Sequence, residues 1–234
     1  MAVLVVVPLV TLAIWAAYAW PQTRPAQVPG PGAASPFGTP KGVDRRVVVA
    51  RLDGVDVLLP VRLEATTAVA FHAVDASGSV AFAPVGDRAD ASGVSASLAD
   101  IFNGGGGLRY YQLDGQGSSA PTAGLDVGAV PGVFVYAPVD GKVVSVTDYK
   151  LLGRYPDTEI QIQLAGAPSV LLLISHIVNP AVKIGDVVTA GETALGSVRG
   201  FPPAVKQELS QVTTDAGDHV QLVALRVTPS LSGL

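Results

Sequence analysis

The hydrophobic and polar positions of the chain change character along its length. Ala2 to Trp20 is a run of 19 residues without a charge. As a helix it extends roughly 28 Å, close to the thickness of a bilayer core. Pro8 is tolerated inside a membrane helix. Trp15, Tyr18 and Trp20 gather at the C-terminal end of the run, as interfacial aromatics do. The run predicts a single uncleaved membrane anchor over 1–20. The competing reading is a cleaved signal peptide, for which Ala17-Tyr18-Ala19 has the small-x-small form but the basic leader is absent. Pro21 to Gly42 is rich in Pro, Gly, Ala and Ser and has no apolar period, so 21–44 reads as an extended linker.

From Arg45 onward the pattern is that of strands. Val47 to Leu52 and Val55 to Pro60 flank Asp53-Gly54, a strong hairpin signal. Thr66 to Val74 and Ser79 to Ala83 flank Ala76-Ser77-Gly78 and predict a second hairpin. Ser95 to Phe102 reads as a short helix stopped by the glycines after Asn103, and Leu108 to Leu113 as a strand. Further strands are expected over 133–136, 142–147, 159–164, 170–175, 187–189, 193–198 and 219–227. Ile160, Ile162 and Leu164 alternate with Gln161 and Gln163, a half-buried strand. Val170 to Ile174 is continuously apolar and should be central. Pro202 to Val212 reads as a helix that opens on Pro202-Pro203.

Composition narrows the function classes. The chain has 234 residues, a formal net charge of −4 and no basic cluster, so nucleic acid is not an expected partner. It has no Cys, which removes disulfides, Cys-based metal sites and a lipidated N-terminal Cys. Gly104 to Gly107 lacks the Lys-Ser/Thr of a phosphate loop and reads as a tether. The only Met is Met1, so the modifiable Met-Lys-Met hairpin of a biotinyl or lipoyl carrier is missing. No long heptad hairpin of a membrane-fusion protein is present either.

The candidate chemistry lies in one stretch. Gly124-Leu125-Asp126 precedes Tyr136-Ala137-Pro138-Val139-Asp140-Gly141-Lys142-Val143. Then come Ser175-His176, Val182-Lys183-Ile184-Gly185-Asp186-Val187-Val188, Gly191-Glu192, Gly196 and Asp218-His219-Val220-Gln221-Leu222. Over residues 122–228 this order resembles the LytM/lysostaphin-type peptidoglycan endopeptidases, zinc enzymes with a His-x-Gly-Ile-Asp run, an Ala-Pro-x-Asp-Gly-x-Val unit and a His-x-His strand. The resemblance implies a β-rich fold with an antiparallel LytM-like sheet core, a duplicated hybrid motif related to barrel-sandwiches, carrying one short helix insertion. Residues 45–121 would be an N-terminal β-rich extension or small lobe, and 229–234 a tail. It places zinc ligands at Thr122, Asp126 and Gln221, and groove residues that assist catalysis at His176 and His219.

Of those three ligand positions, Asp126 alone carries a strong zinc donor. A catalytic zinc needs about three strong protein ligands and an open position for water. Without the cation nothing brings the pKa of water toward neutrality. The expectation is a degenerate, non-catalytic domain without metal or cofactor. Its expected partner is a cell-envelope protein or a peptidoglycan fragment. The alternative is an active zinc endopeptidase whose metal is held in a rearranged site by Asp126, His176 and His219. The third histidine, His72, lies outside the resemblance. It reads as a buried or surface strand residue, because Asp75 three positions later would point to the opposite face of a strand. Arg24, Lys41, Arg45 and Arg46 follow the anchor and none precedes it, which alone favours a cytoplasmic domain. The resemblance implies the opposite, a single-pass protein with its domain on the extracytoplasmic side.

Overall fold

The computed structural model describes residues 46–89, 108–115, 117–205 and 207–227. The anchor run 2–20, the linker 21–44, the helix expected over 95–102 and the tail 229–234 lie outside the described residues. Among the described residues no helix is long and apolar enough to cross a membrane.

The molecule is built from strands. In chain order they are β1 (Val48–Leu52), β2 (Val55–Leu58), β3 (Thr66–His72), β4 (Ser79–Val80), β5 (Ala83–Pro84), β6 (Asp87–Ala89), β7 (Arg109–Gln112) and β8 (Gly124–Ala129). They continue as β9 (Phe134–Tyr136), β10 (Gly141–Leu151), β11 (Tyr155–Leu164), β12 (Val170–Val178), β13 (Val187–Val188), β14 (Ala194–Val198) and β15 (His219–Arg226). Leu63–Ala65 and Glu208–Gln211 are short 3-10 turns.

A large sheet runs in the order β13-β10-β11-β12-β15-β8-β3-β7-β6, with β14, β9 and β4 attached along it. Pairing is antiparallel from β13 through β3 and becomes parallel where β7 meets β3 and β6. The antiparallel expectation therefore holds for the centre of the sheet and not for this edge. A second sheet, β2-β1-β5, packs into the same apolar core.

The β1–β2 hairpin forms as its sequence demands. Leu52 pairs with Val55, and Asp53 and Gly54 both take positive φ (47° and 81°), the geometry of the favoured two-residue turn. The second expected hairpin does not form. β3 pairs with β8 and β7, while β4 pairs with β15. A three-residue polar spacer set no register strong enough to compete with partners far along the chain.

Two further differences bear on the site. No strand is expected over 124–129, yet β8 lies there, fully buried between β3 and β15. Its glycines lower intrinsic strand preference, and burial between two neighbours overrides it. The helix expected over Pro202 to Val212 is only the 3-10 turn Glu208–Gln211. Here Gln207 N–H donates to Ala216 O, and the Thr213 hydroxyl bonds both Leu209 O and Asp215. These local side-chain and backbone bonds compete with helix extension.

Alternation divides each central strand into two faces. Val69 and Phe71, Leu125 and Val127, Val220 and Leu222, Leu172 and Ile174, and Ile160 and Ile162 all turn into the main core. The opposite face carries Ala68 and Ala70, which Leu209 and Val212 cover as a smaller apolar cluster. His72, Gly124, Asp126, Gly128, His219 and Gln221 share this second face.

Leu172 is completely buried between β11 and β15. Leu172→Ala is expected to lower unfolding stability by about 2–5 kcal/mol. The same change at Leu152, which is 70% exposed at a hairpin tip, should move it by less than about 0.5 kcal/mol. Denaturant titration checks both; equal effects would contradict the assignment of the core.

Candidate functional site

Strand register assembles the site. Gln221 of β15 lies directly opposite Asp126 of β8, and His219 opposite Gly128. On the other side of β8, His72 of β3 lies opposite Gly124. Gly124 has no side chain, so the His72 ring lies over it and reaches Asp126 diagonally. A Cβ at position 124 would stand 2.7 Å from His72 Cε1 and 2.8 Å from its Nε2.

Asp126 is 4% exposed. Its Oδ1 is the focus of three side chains. His72 Nε2 stands 3.2 Å away, the Gln221 amide nitrogen 3.3 Å and His219 Nε2 3.7 Å. A buried carboxylate is expensive unless paired and hydrogen-bonded. Burial pushes the Asp126 carboxyl up, but the charges of His219 and His72 and the His72 hydrogen bond outweigh it and bring it down to about 2.

The two histidines on Asp126 differ in state. His72 Nδ1 lies 2.8 Å from Ala73 O and its Nε2 faces Asp126, so both ring nitrogens meet oxygen acceptors. Burial pushes His72 down, yet the Asp126 hydrogen bond and charge, with the Ala73 carbonyl, raise it to about 9. His219 is 2% exposed, and its Nδ1 donates to Gly217 O at 2.7 Å. Burial holds His219 below the ordinary histidine range, and the neighbouring His176 adds to that effect. At neutral pH the His72 contact is therefore the charged one on Asp126.

His176 occupies a distortion in β12. Between the pairs Thr158–Ile177 and Ile160–Ile174, one residue of β11, Glu159, faces two of β12, Ser175 and His176. This is a bulge, and His176 takes φ 66° within it, an uncommon conformation for a bulky side chain. Its Nδ1 sits 2.8 Å from Asp157 Oδ2. Asp157 also accepts the Thr158 N–H and a hydrogen bond from Tyr149, whose phenol is pushed up by burial and by Asp157. The Arg199 Nε is 3.6 Å from the same carboxylate. The His176 ring meets His219 edge-on at 4.8 Å, and Phe201 stacks on His219 at 5.3 Å.

A cleft of about 460 Å³ opens beside these groups, lined among others by His72, Asp126, Glu159, Ser175, Glu208 and Gln221. The structure thus brings together Asp126, Gln221, His219 and His176. It does not bring Thr122 to them, because the Thr122 hydroxyl donates to Phe82 O at 2.7 Å. Asp186 accepts the Lys183 N–H as a turn residue, and Asp140 accepts the Ala190 N–H.

His72 is the participant that sequence reasoning assigned elsewhere. Its spacing to Asp75 is irrelevant, since its partner is Asp126 on a neighbouring strand. The one sequence trace was the missing side chain at Gly124, which has meaning only once the β3–β8 register is known.

Zinc needs lone pairs directed at the cation. Here the Gln221 amide nitrogen faces Asp126 and offers no lone pair to a cation, and among the described residues no group of three or more His, Cys, Asp or Glu side chains is arranged to hold a metal ion. Gln221, as placed, does not fit the role of a zinc ligand.

The fold and site define a β-sheet protein with a histidine–carboxylate groove. No family model and no curated protein matches the chain. Solved structures do match. One is the M23 metalloprotease pseudoalterin from the deep sea, at 20% identity and TM-score 0.31, covering 47% of this chain and 58% of that one. Another is the SpoIIQ–SpoIIIAH pore-forming complex, at 16% identity and TM-score 0.36, covering 74% and 88%. A third is a mutant catalytic domain of the prophage-encoded M23 protein EnpA from Enterococcus faecalis, at 18% identity and TM-score 0.33, covering 68% and 90%. The structural neighbours thus include M23, or LytM-type, peptidase domains. The chain spans little more than half of pseudoalterin.

The two shifts predict a stability maximum near pH 6.5. His72 is raised in the folded state, so its contribution is complete below about pH 6.5 and disappears as pH rises through 9, about 3 kcal/mol in all. His219 is lowered, so its neutral form is increasingly penalised as pH falls below about 6.5. Denaturant unfolding from pH 5 to 9.5 reads both limbs. His72→Gln should remove the alkaline limb and leave the acid one.

Gly124→Ala is expected to displace the His72 ring, lose its contact with Asp126 and lower stability. An unchanged His72 titration by NMR would contradict the seating of that ring.

Proposed function

We propose that the chain is a membrane-anchored, non-catalytic LytM-like module that binds a cell-envelope protein or a peptidoglycan fragment on the extracytoplasmic side. The observation that carries this reading is the Gln221 amide on Asp126. At the position where the motif resemblance calls for a ligand imidazole, the side chain donates a hydrogen bond to the carboxylate. That contact satisfies Asp126 without a cation. With no cation, no group in the groove generates hydroxide from water near neutral pH. The antiparallel centre of the sheet, read with the motif order over 122–228, supports the finer reading of the core as a duplicated hybrid motif.

The groove itself remains open and polar. His219, Glu159, Ser175 and Glu208 line the cleft, and the His176 ring packs against that of His219. A groove that keeps shape and polar groups while its metal position is filled by protein donors suits recognition better than turnover. A second reading, a zinc endopeptidase with a rearranged site, draws on the approach of His219 to Asp126 and of His176 to His219.

Two measurements separate these readings. Elemental analysis of residues 45–234 should show far less than one zinc per chain, and peptidoglycan fragments should bind without being cleaved. Stoichiometric, chelator-sensitive zinc together with cleavage would establish the enzyme instead. In binding assays across pH, His176→Ala with His219→Ala should flatten the wild-type profile, as expected of groove histidines.

The anchor over 1–20 and the 21–44 linker complete the proposal, with the linker giving reach from the bilayer. Protease added to intact spheroplasts should remove the domain and leave a short membrane fragment. Protection until lysis would place the domain in the cytoplasm.

A further inference from the structure

We infer that the open edge of β10 joins two copies of the chain, strand to strand about a two-fold axis, into one continuous sheet.

β10 outruns its cover. It is 11 residues long, and on the side away from β11 it meets β13 only at Gly141 and Lys142. The Val143 N–H donates to Asp186 O and the Gly185 N–H to Val143 O, which carries the cover to Val143. Beyond it, among the described residues, no strand pairs with Ser145 to Leu151 on that side, although β11 pairs with all of them on the other. Such an edge presents unpaired N–H and C=O groups and is a template for a further strand.

The side chains of this edge complement themselves. Asp148 and Lys150 are two positions apart, so they share a face of the strand. Both are exposed, and among the described residues neither forms an ion pair; Asp148 accepts the Thr158 hydroxyl. An antiparallel pairing centred on Tyr149 sets Asp148 of each copy opposite Lys150 of the other, and the two-fold makes this contact twice. It sets Tyr149 opposite Tyr149, and Thr147 opposite Leu151. It also brings Leu152, 70% exposed at the hairpin tip, level with Val146, which packs on the core. Opposite-charge and aromatic pairs across strands are stabilising, and like charges directly opposite are not. A register centred on Asp148 or on Lys150 would set a like charge against itself, so the Tyr149 register is the one the charges select.

The joined sheet also places the grooves. Tyr149 hydrogen-bonds Asp157 and Ser175, and Ser175 lines the cleft, so Tyr149 marks the groove face of β10. Residues directly opposite on paired strands point to the same face, so both grooves open on one side of the sheet. A repeating envelope polymer then meets two grooves at once, which raises its overall affinity without any new contact. The free edge is short, so the dimer is weak and depends on concentration.

The test uses the full chain. It has no Cys, so a single introduced thiol reports on the register. Two tagged populations, Thr147→Cys and Leu151→Cys, are mixed in membranes and mildly oxidised. The mixed pair should link at least about 10-fold more than either variant alone, because directly opposed Cα atoms lie about 4.5–5.5 Å apart, within disulfide reach. Ser77→Cys, in an exposed turn elsewhere, controls for random collision. Sedimentation of the detergent-solubilised chain over a concentration series reads the charges. Lys150→Asp or Asp148→Lys alone should weaken association by about 10-fold, and the two together should restore it.

A chain that stays monomeric at every concentration overturns the inference, whether the edge stays bare or another segment of the same chain covers it. So does a dimer in which the mixed thiols do not link, or one that the exchanged charges fail to restore. Wild-type sedimentation is read without any substitution, so a variant that fails to fold does not remove the test. No readout involves a metal or an envelope ligand, so the result stands apart from the non-catalytic reading of the groove.

Discussion

The carboxylate of Asp126 is buried in the middle of a sheet, where an uncompensated charge would cost several kcal/mol. Much of the local architecture answers that constraint. Two flanking strands bring side chains to the same oxygen, His72 from β3 and Gln221 and His219 from β15. For these to arrive, the strands must pair in one register, and a shift of either flanking strand by one residue would turn its own polar side chains to the opposite, apolar face. The small residues around the site follow from the same need. Gly124 admits an imidazole ring. Gly128, beside Leu209 and the Thr67 hydroxyl, brings the covering 3-10 segment close to the sheet.

A second constraint acts one strand further along. β12 must continue the apolar core and also present His176 to the groove. A bulge reconciles the two by spending an extra residue and placing a histidine at positive φ. Such a conformation persists only where its surroundings hold it. Asp157 supplies that hold, being tied in turn to the Thr158 N–H, Tyr149 and Arg199. The ring is thereby fixed against His219 with one nitrogen committed.

Three histidines thus lie close together under different electrostatic rules. His72 meets oxygen at both nitrogens and keeps its charge. His219 lies among rings and a backbone carbonyl, and burial keeps it neutral. His176 is oriented by an aspartate. Acid–base character in this groove follows the partners of each ring, which the residue type alone does not specify.

The sequence by itself determined the local features. The Asp53-Gly54 turn, the alternation of β11, the apolar run of β12 and the short strands near Gly185 and Gly191 can all be read from neighbours within a few residues. The order of motifs over 122–228 also placed Asp126, His176, His219 and Gln221 in one groove and gave the weakened ligand set. Tertiary structure decided everything that depended on which strands meet. The β3–β8 pairing, and with it the arrival of His72, joins residues about fifty positions apart through a strand whose glycines hide it. The expected helix after Pro202 gave way to a 3-10 turn because bonds around Thr213 and Asp215 closed the segment on itself. Turn chemistry and alternation are properties of adjacent residues. Register between distant strands, and the charge of a ring set between them, exist only once the sheet has formed.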